Sequence, residues 1–179
     1  VVVNPLPTAG SISGPTSVCT GSTITLTDGV PGGVWTSSSP SVASISSTGI
    51  VTGVAAGVTT ISYTTTNSCG SSYAVQAITV NALPSAGTIS GSGSVCVGNT
   101  IPLTASVGGG VWSSSSSSIA VISSGGIVTG VSGGTVTISY TVTTPCGSAY
   151  TTQTVVVNPL PTAGSISGPT SVCTGSTIT

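Results

Sequence analysis

No Lys, Arg, His, Met or Phe occurs in the 179 residues, and Asp28 is the single charged side chain, for a formal charge of −1. Each absence excludes something. Without Lys or Arg the chain has no electrostatic footprint for nucleic acid or for an anionic membrane surface, so neither is expected as a partner. One Asp and no Glu cannot form the carboxylate pair of acid–base catalysis. A chain without His has no His-dependent triad and no imidazole metal site, and calcium cages lack their carboxylates. The inventory speaks against an enzyme and implies no cofactor and no metal. No apolar run approaches the ~20 residues of a membrane-crossing helix. Direct membrane insertion of this segment is therefore not expected, and no secretory signal pattern is present. The chain lacks an initiator Met and opens inside Val1-Val2-Val3, which reads as a window cut from something longer.

What is there is mostly small and hydroxylated: 35 Ser, 32 Thr and 26 Gly make up more than half of the residues. Low charge often accompanies disorder, but disordered chains are poor in Val and Ile, and this one is rich in both, with 37% hydrophobic residues. Val, Ile and Thr are the β-branched set that fits a pleated, half-buried surface. Leu is scarce, and no segment sustains a helical period. The expectation is an all-β fold.

Internal repetition organises everything else. Val1–Thr25 recurs letter for letter as Val155–Thr179, an offset of 154 residues. Halfway between lies a diverged copy, because Asn4-Pro5-Leu6-Pro7 aligns with Asn81-Ala82-Leu83-Pro84 and then with Asn158-Pro159-Leu160-Pro161. Residues 4–80 and 81–157 align without a gap and are identical at 48 of 77 positions. The ends resemble each other more than either resembles the middle, so the pattern is an alternating array. It predicts the end of a preceding repeat at 1–3, repeats at 4–80 and 81–157, and the start of a third at 158–179.

Within one repeat, short β-prone runs alternate with turn signals. Gly10–Val18 reads as a first strand broken at Gly14-Pro15, and Thr23–Thr27 alternates polar and apolar as a half-buried strand does. Val34–Ser37, Val42–Ile45, Ile50–Val54, Thr59–Thr66 and Tyr73–Val80 complete about seven strands. That count, with turns every 8–12 residues, indicates a Greek-key sandwich. Asn4-Pro5-Leu6-Pro7 reads as a stiff, extended linker. The run from Val34-Trp35-Thr36-Ser37 through Ser41-Val42-Ala43 to Gly49-Ile50-Val51-Thr52-Gly53 and Gly57 resembles the bacterial immunoglobulin-like group 2 domain. The second copy matches through Val111-Trp112, Ile119-Ala120-Val121-Ile122 and Gly126-Ile127-Val128-Thr129-Gly130. The Val18-Cys19 opening and the Cys69-Gly70 turn resemble the cysteine-bearing Ig-like repeats of giant bacterial surface proteins. These resemblances imply tandem Ig-like sandwiches outside a bacterial cell.

Few side chains are candidates for a site. Trp35 and Trp112, with Tyr63 and Tyr140, read as core residues, against a sugar-binding platform for the tryptophans. Tyr73 and Tyr150 fall just after the Cys-Gly turn, near an end of the repeat. Asp28 becomes Ala105 in the second copy, so a local turn role at Asp28-Gly29 is expected. Gln76 and Gln153 sit on the last strand, where some adhesin modules carry a Thr–Gln ester, but that chemistry wants nearby acid and base groups and the second copy supplies none. The Ser113–Ser118 run and the Thr-rich strands offer hydroxyl arrays for glycosylation or water ordering. Their plainer reading is a surface kept soluble without charge.

Cys19, Cys96 and Cys173 are equivalent by the repeat, as are Cys69 and Cys146. Zinc would want four close ligands, and neither His nor a Cys-x-x-Cys pair is available. Two cysteines per small repeat in an extracellular setting favour disulfides. In the immunoglobulin topology that the resemblance implies, Cys19 lies at one pole and Cys69 at the other. The sixth strand alone spans ~25 Å at about 3.3 Å per residue, whereas a disulfide needs Cα atoms within ~7 Å. Interdomain pairing of Cys19 with Cys146 is therefore favoured, and Cys69, Cys96 and Cys173 would pair with repeats beyond this window. A different strand order would instead pair Cys19 with Cys69 and Cys96 with Cys146. The functional expectation is a secreted, mechanical filament or stalk that partners with itself through neighbouring repeats and laterally associated copies. The alternative is an adhesin whose repeats bind glycans or surfaces directly.

Overall fold

The computed structural model describes residues 3–165, 167–168, 170–175 and 177. The expected fragments of flanking repeats therefore lie partly outside the described residues: Val1, Val2, Ile166, Pro169, Ser176, Ile178 and Thr179. Strands and no helix occur among the described residues, so the chain is all-β. It divides into two compact units, Val1–Ala86 with Thr141–Tyr150, and Gly87–Tyr140 with Thr151–Thr179.

In the first unit the strands run β1 (Ile12–Ser13), β2 (Ser17–Cys19), β3 (Thr23–Thr25), β4 (Thr27–Asp28), β5 (Val34–Ser37), β6 (Ala43–Ile45), β7 (Ile50–Gly53), β8 (Gly57–Asn67) and β9 (Gly70–Asn81). One layer holds β1-β4 and β3-β7-β6, and the other holds β2-β9-β8-β5. This is the two-sheet immunoglobulin arrangement, with the first strand shared between layers. The share is made at Gly14-Pro15. Before it, Ile12 pairs antiparallel with Asp28; after it, Ser17-Val18-Cys19 pairs in parallel with Thr79-Val80-Asn81. Proline has no N–H for a ladder and suits a place where a strand leaves its sheet.

The expected strand at Thr23–Thr27 is interrupted. Leu26, 1% exposed, lies between the two pieces, and its N–H donates to the Gly49 carbonyl at 2.8 Å, as that of Leu103 does to Gly126 in the second copy. The long hairpin β8–β9 pairs without slip from Gly57↔Val80 to Asn67↔Gly70. Both of its strands extend beyond the runs Thr59–Thr66 and Tyr73–Val80, because the Asn67–Gly70 turn is tight enough to carry pairing to its base. Alternation then places Thr59, Ile61, Tyr63 and Thr65 inward, and Thr60, Ser62 and Thr64 outward. Val18, Leu26, Ala43, Val51, Ile61, Ile78 and Val80 form the buried core, drawn from both layers. Each large aliphatic contributes roughly 1.5–3 kcal/mol by burial.

The second repeat gives β10 (Ile89–Gly91), β11 (Ser94–Cys96), β12 (Thr100–Ala105), β13 (Val111–Ser114), β14 (Ala120–Ile122), β15 (Ile127–Gly130), β16 (Gly134–Thr144) and β17 (Gly147–Asn158). Its sheets run β10-β12-β15-β14 and β11-β17-β16-β13. Here β12 is continuous where β3 and β4 are split. The core gathers Val95, Leu103, Ala120, Val128, Val136, Ile138, Val155 and Val157. The tip of the β16–β17 hairpin, Thr141–Tyr150, belongs to the first unit.

Candidate functional site

The sequence candidates fall into two groups in space. Trp35 is half-buried on β5, with its ring 4.6 Å from that of Tyr63 at 48°, and Trp112 meets Tyr140 at 4.7 Å and 52°. The Tyr63 hydroxyl donates to the Val30 carbonyl at 2.6 Å and accepts the Gly33 N–H at 2.8 Å. Tyr140 accepts from the Gly110 N–H at 2.8 Å in the same way. These pairs close the loop before β5 or β13. Tyr73 and Tyr150 instead stand 71% and 74% exposed on the outer face of the hairpins. Gln76 Nε2 donates to the carbonyls of Gly14 and Pro15 at 3.4 Å each, and Gln153 reaches Gly91 and Ser92 at 3.2 and 3.4 Å. Glutamine therefore fastens the sheet crossover, a role that required knowing the topology. Asp28 Oδ1 accepts the Val30 N–H at 2.9 Å, while Oδ2 is buried without a hydrogen-bond partner. Among the described residues no three His, Cys, Asp or Glu side chains cluster as metal ligands.

The second group is the cysteines with the linkers. Cys19 ends β2 opposite Asn81, where the linker Asn81-Ala82-Leu83-Pro84 begins. Its backbone is locked: the Cys19 carbonyl accepts the Ser22 N–H at 2.9 Å, and the Thr20 N–H donates to the Asn81 carbonyl at 2.9 Å. A β-carbon on Gly53 would stand 2.6 Å from that Cys19 carbonyl, so only glycine fits behind the cysteine. Cys146, in the tip of the β16–β17 hairpin, has its N–H capped by Thr144 Oγ1 at 3.2 Å, and its Sγ lies 3.9 Å from the Asn81 carbonyl oxygen. Cys19 and Cys146 form a disulfide, with S–S 1.98 Å and Cα–Cα 5.6 Å. Neither Cys19–Cys69 nor Cys96–Cys146 is formed, and Cys69, Cys96 and Cys173 are exposed thiols.

The two thiols inside the repeats occupy copies of the same surroundings. Cys69 has its N–H capped by Asn67 Oδ1 at 2.8 Å, and its thiol donates to the Asn4 carbonyl at 3.5 Å. Asn67 Nδ2 also donates to the Pro5 carbonyl at 3.1 Å, and Thr65 Oγ1 to that of Thr8 at 2.9 Å, so the hairpin tip holds the linker that precedes it. Cys96 ends β11 opposite Asn158, and Val97 N–H donates to the Asn158 carbonyl at 3.0 Å. Its carbonyl accepts the Asn99 N–H at 3.0 Å. A β-carbon on Gly130 would stand 2.8 Å from it. These repeated frames were not legible from the cysteine spacing alone, since each is completed by partners some 60 residues away.

Residues 21–77 match the family of the bacterial Ig-like domain (group 2). Solved structures are similar at low identity. Domains 4 and 5 of the S-layer protein SbsC align at 22% identity over 75% of this chain and 82% of that one, with a TM-score of 0.31. The bacterial integrin-binding protein invasin aligns at 16% identity over 83% of this chain and 38% of its own, with a TM-score of 0.49. A C-terminal 282-residue fragment of intimin, solved in complex with the intimin-binding domain of its translocated receptor, aligns at 21% identity over 76% and 57%, with a TM-score of 0.42. The chain spans 25% of SbsC domains 1–6 and 30% of the rSbsC(31–844) chain. No curated protein matches.

Proposed function

We propose that this chain is a stretch of an extracellular filament or stalk on a bacterial surface, built from 77-residue Ig-like repeats and working mechanically to extend or tether. The observation that carries the reading is the recurrence itself: gapless over 77 residues and letter-perfect over 25 at an offset of 154. Repetition of one fold along a chain multiplies length, and the repeated side chains converge on turns, crossovers and linkers. Self-association follows from the composition. With Asp28 the only charge, copies meet almost no electrostatic repulsion, and the sheet edges lack the Lys residues that usually discourage edge pairing. Electron microscopy of the native material tests the reading directly. Fibres with a regular axial repeat are expected, and dispersed single particles would overturn it.

A second reading, a glycan- or surface-binding adhesin, has one observation in its favour. Tyr73, 71% exposed, lies in register with Thr64 and, across β8, with Val34, 63% exposed, as an uncharged row on the outer sheet face. A glycan array probed with the chain and with Tyr73→Ala/Tyr150→Ala separates the readings. Specific binding lost in the double variant, with the fold retained, would favour the adhesin.

A further inference from the structure

We infer that Cys96 and Cys69 are the two halves of a second covalent joint. Cys96 of one repeat is linked by a disulfide to the Cys69-type cysteine of the repeat that follows it, so that every junction of the array is closed as Cys19–Cys146 closes this one. The inference rests on the tandem-array reading and adds a modification site to it.

The two junctions present equivalent frames. At the closed junction one cysteine ends a strand beside a linker asparagine (Cys19 beside Asn81), and the other reaches the same asparagine's carbonyl from a hairpin tip, with Cys146 Sγ at 3.9 Å. Cys96 beside Asn158 reproduces the first half of that frame, with the same turn hydrogen bonds and the same close glycine behind it. Cys69, with its thiol on Asn4 at 3.5 Å, reproduces the second half. Asn4 and Asn158 are one position in the repeat, two periods apart. A linker asparagine that follows a copy of the 81–157 repeat therefore receives a Cys96-type sulfur from one side and a Cys69-type sulfur from the other. Pairing within a repeat would require Cys96 to abandon a strand end fixed by three backbone hydrogen bonds around it.

The chemistry is ordinary thiol–disulfide exchange. The Cys96 thiolate attacks an exchangeable disulfide and expels one thiol, leaving a mixed disulfide. The Cys69-type thiolate then attacks the Cys96 sulfur and expels the second thiol. Two protein thiols are oxidised to one disulfide, and the exchanging disulfide is reduced to two thiols.

The two repeats differ around their cysteines, so peptides identify the joint without ambiguity. Trypsin has no site, and the alkylated, non-reduced native protein is digested with pepsin. The expected linked pairs are Ser94-Val95-Cys96-Val97-Gly98 with Asn67-Ser68-Cys69-Gly70-Ser71, and Ser17-Val18-Cys19-Thr20-Gly21 with Thr144-Pro145-Cys146-Gly147-Ser148. A Cys96 peptide linked to a Cys146 peptide, or Cys96 and Cys69 recovered alkylated, overturns the inference. A recombinant array that continues residues 155–179 with a second copy of 26–179, refolded in a glutathione buffer, serves as the second measurement. Cys96→Ser in that array is expected to free one Cys69-type thiol for alkylation and leave Cys19–Cys146 intact. Rerouting of that thiol to another cysteine would sink the proposal. These readouts do not depend on whether the material is a stalk. Dispersed particles with the linked peptides present would fail the function and keep the joint, while fibres with free thiols would do the reverse.

Discussion

Stretching the chain from its two ends should show the Cys19–Cys146 bond as missing length. The bond closes a loop with a sequence separation of 127 residues, so tension entering at one end crosses from Cys19 to Cys146 and never reaches what lies between. A fully extended chain spans at most about 3.3–3.6 Å per residue, so reduction should release about 420–460 Å of additional contour. The perturbation is dithiothreitol, or Cys19→Ser, and the assay is single-molecule force spectroscopy with terminal tags as handles. Pairing inside repeats gives a different number. Cys19–Cys69 and Cys96–Cys146 would each lock away about 50 residues, roughly 165–180 Å apiece, released in two steps. One long increment is expected. Two short ones, or a contour length indifferent to reductant, would refute the reasoning.

Tyr63→Phe removes a hydroxyl that serves the Val30 carbonyl and the Gly33 N–H at 2.6 and 2.8 Å. It should cost about 1–3 kcal/mol, read from chemical denaturation, because both backbone groups lose their partner. Gly53→Ala pushes a methyl against the Cys19 carbonyl, 2.6 Å from the new carbon. It should destabilise by about 1–3 kcal/mol and slow oxidation of the Cys19 thiol, followed by alkylation during refolding. Thermal stability should be nearly flat between about pH 5.5 and 7, because the chain has no His, the side chain whose ordinary titration falls in that range. It should also be insensitive to salt, with Asp28 the only charge. A melting temperature that moves by more than a few degrees over either range would contradict this.

The fold was legible where local pattern and global fold agree. The alternation in Thr59–Thr66, the Gly14-Pro15 break and the Asn67–Gly70 turn each point to what the chain does there, and repetition at 77 residues doubles every such signal. The break in the second strand was not legible. Thr23–Thr27 alternates as well as any strand, and no single bond explains its interruption, since the Leu26 N–H bond to Gly49 recurs as Leu103 to Gly126 inside the continuous β12. Gln76 was singled out by rarity, but its partners Gly14 and Pro15 lie 62 and 61 residues away, so only the crossover explains it. Tyr73 and Tyr63 look alike in sequence and lie on opposite faces. The strict two-residue period separates them once the hairpin register is known.

Why join cysteines across a junction when the same residues could pair inside a repeat? Stability hardly distinguishes the choices. In the chain-entropy account the stabilisation grows with the logarithm of loop length, and going from about 50 to 127 residues adds only about 0.8 kcal/mol. What the junction bond changes is topology under tension. Bonds that skip from one repeat into the next, taken at every junction, overlap along the array. The shortest covalent path then alternates a bond with the run from a hairpin-tip cysteine to the next strand-end cysteine, as from Cys146 to Cys173, about 27 residues in every 154. Intrarepeat bonds lock about 100 residues of the same period and leave the rest to unravel. An array stapled at its junctions thus retains a short covalent backbone even when its sandwiches yield, and neutral repeats, which have no ion pairs to reform between them, gain most from such a path.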